Sequence, residues 1–222
     1  MKKLYLITLL SLALCVSCAK KETDPEVIAM RGLVNRVVPE YSEKIVLERL
    51  ANDTVDRFEI EMKRSKLVIR GNNANSMAVG LNHYLKYYCM AQYSWFKEEP
   101  LQIPAIMPAV PEKVSLSARV PERFFLNYCT FGYTLPWWDW SEWEHFIDWM
   151  ALNGINLPLA ITGQESVWYE VWSELGLTDE EIRSYFTGPA HLPWHRMQNI
   201  DRWGGPLPMS WLKTKKNCKS KS

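Results

Sequence analysis

From residue 122 onward the chain alternates strand, loop and helix, and that alternation limits its possible folds more than any other feature. Arg123 to Cys129 (RFFLNYC) is mostly apolar and strand-like, and Thr130 to Trp140 follows as a loop. A helix then opens at Ser141, with Glu144 three residues on as a capping box. Trp143, Phe146, Ile147, Met150 and Ala151 fall on one apolar face of it. Asn153-Gly154 closes this helix, and Ile155 to Ile161 (INLPLAI) reads as a second buried strand, with Pro158 as its one discordant residue. The loop TGQE leads into a helix around Val167–Leu175 that ends at Gly176. Thr178 and Glu181 form a further capping box, opening a short helix to Phe186.

Strands apolar on both faces and separated by helices mean parallel βαβ units, so the fold class is α/β here. Two architectures satisfy the pattern, a (β/α)8 barrel and an open doubly wound sheet. Neither GxGxxG nor GxxxxGK[ST] occurs, which argues against a nucleotide-binding open sheet. A complete barrel needs roughly 250 residues. If the fold is a barrel, residues 119–212 hold only its first two or three βα units, and the barrel is truncated. The tail WLKTKKNCKSKS shows no apolar periodicity, so residues 213–222 are expected to be a solvated, disordered, lysine-rich end.

Ahead of this region, residues 25–118 read as a small α+β domain. Pro25 to Leu50 has helical periodicity broken at Gly32 and Pro39. Phe58, Ile60 and Met62 alternate with Glu59 and Glu61, and Lys66 to Arg70 is a second strand ended by Gly71 and two asparagines. Asn75 or Ser76 is the expected cap of a helix with the stripe Met77, Leu81, Tyr84, Leu85 and Tyr88. Prolines 100, 104, 108 and 111 mark an extended connector.

The first 18 residues, MKKLYLITLLSLALCVSC, place two lysines before an apolar run too short to span a bilayer. They are similar to a bacterial lipoprotein signal, with Cys18 as the lipidated residue; a plain secretory signal is the alternative. Either way the chain is exported, and the lipidated form is anchored in the bacterial envelope, periplasmic or at the cell surface, through an outer-membrane lipid anchor. Export removes it from cytosolic nucleotides, and its formal net charge of +1 gives no general basic field for nucleic acid. Discounting the leader and tail lysines leaves the remainder mildly acidic. Cys89, Cys129 and Cys218 have no CxxC spacing, and the histidines have no companions at ligand spacing, so neither metal nor cofactor is expected. Cys89 is read as a core thiol and His83 as a residue of a helix surface.

The strings NYCTFGYTLPWWDWSEWEHFIDWMALNGINLPLAITGQESVW and FTGPAHLPWHRMQNIDRWGGPLPMSW resemble the α-N-acetylglucosaminidases, glycoside hydrolase family eighty-nine. The resemblance is strong over about residues 122–212 and looser before them. It implies an exo-acting glycosidase that removes terminal, non-reducing α-linked N-acetylglucosamine from glycans with retention. It also implies a small N-terminal α/β domain, a (β/α)8 catalytic barrel and a C-terminal helical domain. The family's two catalytic glutamates lie on later strands, after Trp211, so no catalytic residue is assigned to this chain.

By their positions in the family motif, Asn127, Cys129 and Tyr133 match residues that line the sugar pocket, Trp194 forms a wall and Met197 lies beside it. Each also has a purely structural alternative: Asn127 satisfying loop backbone, Cys129 inert in the core, Tyr133 in packing. Retaining hydrolysis needs two carboxyl groups about 5–5.5 Å apart. The one carboxylate directly after an expected barrel strand is Glu165, read chiefly as a helix N-terminal charge or loop hydrogen-bond partner. Trp143 and Trp149 are expected to pack rather than stack on carbohydrate; Trp137, Trp138 and Trp140, in a loop, could do either. The expected function is an exported glycosidase whose present chain is inactive alone, against two alternatives: a non-catalytic glycan-binding lipoprotein, or an inactive fragment.

Overall fold

The computed structural model describes residues 22–96 and 100–220. Cys18 and the leader lie outside the described residues. Helix α1 (Pro25–Val37) is capped by Asp24, whose carboxylate accepts from the amides of Glu26 and Val27. It runs through Gly32 and stops before Pro39, which opens a 3₁₀ turn over Pro39–Lys44. The next segment departs from the helical reading: Ile45–Arg49 is strand β1, with Ile45 and Leu47 buried on one side. Its alternation is of period two, and five residues are too few to show it against the preceding helical pattern.

Strands β2 (Arg57–Lys63) and β3 (Lys66–Gly71) follow, and β4 (Val114–Ser117) returns after the proline-rich connector. The sheet order is β1-β3-β2-β4. β1 and β3 are parallel, pairing Ile45 with Leu67, while β2 is antiparallel to both β3 and β4. Helix α2 (Ala74–Tyr87) is capped by Asn73 rather than Asn75 or Ser76, the Asn73 side chain accepting from Ser76 N–H at 2.7 Å. α1, α2 and the sheet enclose a core of Val34, Tyr41, Ile60, Leu67, Ile69, Met77, Leu81 and Leu85. Burying each aliphatic side chain of this kind is worth about 1.5–3 kcal/mol. Cys89 lies in it, 6% exposed, as expected. His83 is half-buried against Phe58 and Tyr87 rather than fully at the surface.

The second half opens with β5 (Phe124–Phe125), crosses through helix α3 (Trp140–Leu152) and returns in β6 (Leu157–Pro158), parallel to β5. Helix α4 (Gln164–Glu174) follows, which gives two βα units. The strands are much shorter than the apolar stretches that announced them, because only Phe124↔Leu157 and Phe125↔Pro158 pair. They are also not buried on both faces: Phe124 and Leu157 are exposed. The cap of α3 is Asp139 with Glu142, not Ser141 with Glu144. Both pairs have the capping-box spacing, and the carboxylate of Asp139 takes the amide of Ser141 first. Trp143, Phe146 and Met150 face inward, and Phe146 and Trp149 stack at 5.7 Å.

Helices α5 (Asp179–Tyr185), α6 (Leu192–Arg196) and α7 (Met209–Lys219) complete the described chain. α5 has the expected Thr178–Glu181 box. α7 corrects the reading of a disordered lysine tail. Leu212, Lys215 and Cys218 share its buried face, and Lys215 is only 2% exposed. Its ammonium donates to the carbonyl of Trp138 and lies 5.8 Å from the Trp211 ring. A lysine can sit there because its stem is apolar and its one buried end finds an acceptor.

The two halves meet through side chains rather than one continuous sheet. Arg36 of α1 donates from Nε and Nη2 to Asp148 of α3 at 2.7 and 2.6 Å. Asn82 of α2 donates to the Leu152 carbonyl at 2.7 Å, and Arg123 pairs with Asp56.

Candidate sugar-binding site

The segment between β5 and α3 starts with a forced change of direction. Leu126, at the end of β5, has φ +76, a left-handed conformation that a branched aliphatic residue adopts only under constraint. Its side chain is 9% exposed, so burial holds the turn. Asn127 comes next. Its Oδ1 accepts from the amide and the hydroxyl of Thr130 at 3.2 and 3.1 Å, which braces the 3₁₀ turn Cys129–Gly132. The structural role weighed for Asn127 is therefore real, yet it uses only the carbonyl end. The amide nitrogen has no partner among the described residues and remains available to an acceptor.

Phe131 anchors this turn, 4% exposed and stacked on Trp143 at 5.9 Å. Cys129 is partly buried and Tyr133 is 67% exposed. Tyr133 is thus not a packing residue; its ring is largely in solvent and, among the described residues, has one ring neighbour.

That neighbour is Trp194. Helix α6 is held by the buried Leu192, Pro193 and His195, which leaves Trp194 and Met197 half-buried at its outer side. Gly132 lets the two segments touch. A Cβ at that position would lie 2.7 Å from Trp194 Cζ3 and 3.0 Å from Pro193 Cγ. The Tyr133 and Trp194 rings meet edge to face, 6.5 Å apart at 83°. The structure thus brings Cys129, Tyr133 and Trp194 to one place, with Asn127 at the base of the same turn and Met197 at the end of the same helix. None of the five lines the hollow formed by Trp143, Met150 and Leu159. The five form an open wall, not a closed cavity.

Behind this wall lies a buried ion pair. Glu165, fully buried, accepts from Arg196 Nε at 2.6 Å and Nη2 at 2.9 Å. Both oxygens are committed, so Glu165 is not poised for proton or nucleophile chemistry. His195 fills the space beside Arg196, edge-on to Tyr185 at 4.9 Å, with Nδ1 buried and unpartnered. Burial pushes its imidazole below the usual value of 6.5, against the opposing pull of Glu165 and Asp201. Trp143 and Trp149 pack as expected, Trp138 joins them edge-on at 5.2 Å, and Trp137 is exposed.

Sequence reasoning missed Gly132, Arg196 and the ring pair His191–Trp203. Only a glycine between two aromatic residues, in TFGY, hinted at the first. Chemically, an amide donor, a small thiol and two ring surfaces suit a polyhydroxylated ligand with an apolar face. Among the described residues no cluster of three metal-ligating side chains occurs.

Residues 123–221 match the family described as Alpha-N-acetylglucosaminidase (NAGLU) tim-barrel domain, and residues 28–109 match its N-terminal domain. A curated relative, the Alpha-N-acetylglucosaminidase of Homo sapiens, is 41% identical over 192 residues, covering 84% of this chain and 26% of the relative. The solved Family 89 Glycoside Hydrolase from Clostridium perfringens in complex with PUGNAc superposes with a TM-score of 0.82 at 38% identity. That match covers 88% of this chain and 23% of the other. A form of the same enzyme in complex with its substrate GlcNAc-alpha-1,4-galactose matches equally well, covering 22% of that chain. The chain thus spans about a quarter of the length of these relatives.

Proposed function

The chain belongs to the α-N-acetylglucosaminidase family, glycoside hydrolase family 89, and on that premise we propose that its 222 residues hold part of the N-acetylglucosamine site of a retaining exo-glycosidase. The observation that carries the proposal is the contact of Tyr133 with Trp194, made possible by Gly132. The chain's own residues would bind and orient the terminal sugar. Trp194 offers a ring face, Tyr133 a hydroxyl and a ring edge, the Asn127 amide a donor, and Cys129 and Met197 fill space beside them. The thiol is a space-filling contact and not a nucleophile.

The substrate is a glycan ending in α-linked N-acetylglucosamine, as the names of the human and clostridial relatives support. Cleavage with retention needs a nucleophile and an acid/base about 5–5.5 Å apart. The carboxylate that follows the second barrel strand is Glu165, and Arg196 occupies both of its oxygens; Asp139, after the first, is engaged as the cap of α3. On this reading the 222 residues alone bind sugar without turning it over. The leader supports the rest of the proposal: an exported protein, lipidated at Cys18 and anchored in the bacterial envelope.

Two measurements on the 222-residue chain test this. Calorimetric titration should show saturable binding of N-acetylglucosamine that Trp194→Ala abolishes. Incubation with an aryl α-N-acetylglucosaminide should release no phenol. Turnover with retention would instead assign Glu165 a catalytic role, and binding that ignores Trp194→Ala would dismiss the wall.

A further inference from the structure

Beyond the terminal-sugar wall, the aromatic surface continues outward to a ring that no assignment covers. Trp194 lies 6.3 Å from His191, and His191 lies 6.3 Å from Trp203, edge to face at 87°. Tyr133, Trp194, His191 and Trp203 thus form an unbroken run of rings leading away from the 3₁₀ turn.

Trp203 ends that run, and its side chain contributes to none of the three cores: the residue is 63% exposed. Its backbone, by contrast, is fixed. The Gly188 amide donates to the Trp203 carbonyl at 2.8 Å, and the Arg202 amide to the Tyr185 carbonyl at 3.3 Å. Glycines surround it where the two loop strands nearly touch. A Cβ at Gly205 would lie 2.6 Å from the Phe186 carbonyl oxygen, and one at Gly188 would strike the carbonyl of Gly204. Gly204 itself has φ +65. A loop this constrained holds a large indole in water, where it gains nothing from burial.

We propose that the Trp203 indole is the stacking platform for the second sugar, the pyranose to which the terminal N-acetylglucosamine is α-linked. This rests on the proposed site and extends it by one unit. An indole face attracts the C–H groups on the apolar side of a pyranose while the hydroxyls at its rim stay in water. An indole carried on a fixed backbone costs less ordering when the sugar arrives than one on a mobile loop, so more of the contact appears as affinity. The flanking Asp201 and Arg202 side chains are exposed and 4.0 Å apart. They give the rim one acceptor and one donor set for hydroxyls and no net charge, which fits a neutral pyranose.

The test compares two ligands on the 222-residue chain: N-acetylglucosamine, and an α-N-acetylglucosaminyl-hexose disaccharide. Protein-detected NMR titration gives both dissociation constants, and the readout is their ratio. The wild-type chain is expected to bind the disaccharide about fivefold more tightly. Trp203→Ala should collapse the ratio to about one, and Trp203→Phe should restore most of it. A ratio that Trp203→Ala leaves unchanged overturns the platform, as does a wild-type ratio of one. If the wild-type chain binds neither sugar, the terminal-sugar site fails and the platform with it. Binding of the monosaccharide without a disaccharide advantage sinks the platform alone.

Discussion

Glu165 and Arg196 face each other as a two-pronged pair, 2.6 and 2.9 Å apart, with 0% and 4% of their side chains exposed. Glu165 sits in the first turn of α4, across a short loop from the second barrel strand, and Arg196 ends α6, two residues after Trp194. The pair therefore ties the barrel side to the helix that carries the sugar wall. Removing one partner strands a buried charge, which costs about 3–5 kcal/mol. Glu165→Gln and Arg196→Met should each lower the urea midpoint by a loss of this order. The double substitution Glu165→Leu with Arg196→Met should lose less than either single change. A Glu165→Gln chain of unchanged midpoint would mean the pair holds nothing.

Gly132→Ala tests the close approach under Trp194. The new methyl would meet Trp194 at 2.7 Å and Pro193 at 3.0 Å, so the helix or the turn must shift. Overpacking of this kind costs about 1–3 kcal/mol. Denaturation should report that loss, and N-acetylglucosamine affinity should fall with it. Gly32→Ala is the internal contrast. Gly32 lies within α1, and a Cβ there meets only the flexible end of Arg36, at 3.4 Å. That change should stabilise the fold by about 0.5–1 kcal/mol.

Asp148→Ala probes the junction of the two halves. Asp148 is 3% exposed and receives two hydrogen bonds from Arg36, which keeps 41% of its side chain in solvent. Hydrogen bonds to a charged group are worth about 1.5–3 kcal/mol. Because Arg36 can turn to water, the loss should sit near the lower end. Hydrogen exchange should locate it at α1 and α3, with the strands of the four-stranded sheet unaffected.

Acid should weaken the fold through His195. Its imidazole titrates below 6.5 in the folded protein because burial disfavours the charged form. A lowered histidine value leaves stability whole above the unfolded value. Stability then falls as pH drops below 6.5, since the unfolded chain takes the proton first. Denaturation midpoints should decline from pH 7.5 to 5.5, and His195→Leu should make that decline shallower. The slope that remains includes His83, which burial also lowers. An unaltered slope in His195→Leu would exclude this histidine as a source.

The sequence made some of this visible and hid the rest for physical reasons. The inner face of α3 was plain, since Trp143, Phe146 and Met150 repeat at helical spacing and all are buried. The cap was misplaced by two residues because Asp139–Glu142 and Ser141–Glu144 satisfy the same spacing. α7 was hidden because Lys215 occupies a core-facing position, and a lysine reads as a solvent residue unless its acceptor is known. At the site, local motif placed Tyr133 and Trp194 as two separate residues. Their meeting depends on Gly132, sixty-odd residues earlier than the helix it accommodates, and no local pattern encodes so distant a contact.

Protein-detected NMR of the 222-residue chain, titrated with N-acetylglucosamine, tests the sugar wall most directly. The account predicts saturable shifts that cluster at Asn127, Cys129, Tyr133, Trp194 and Met197, and much smaller ones with N-acetylgalactosamine. Shifts that are absent there, or that gather instead in the hollow lined by Trp143, Met150 and Leu159, would contradict it.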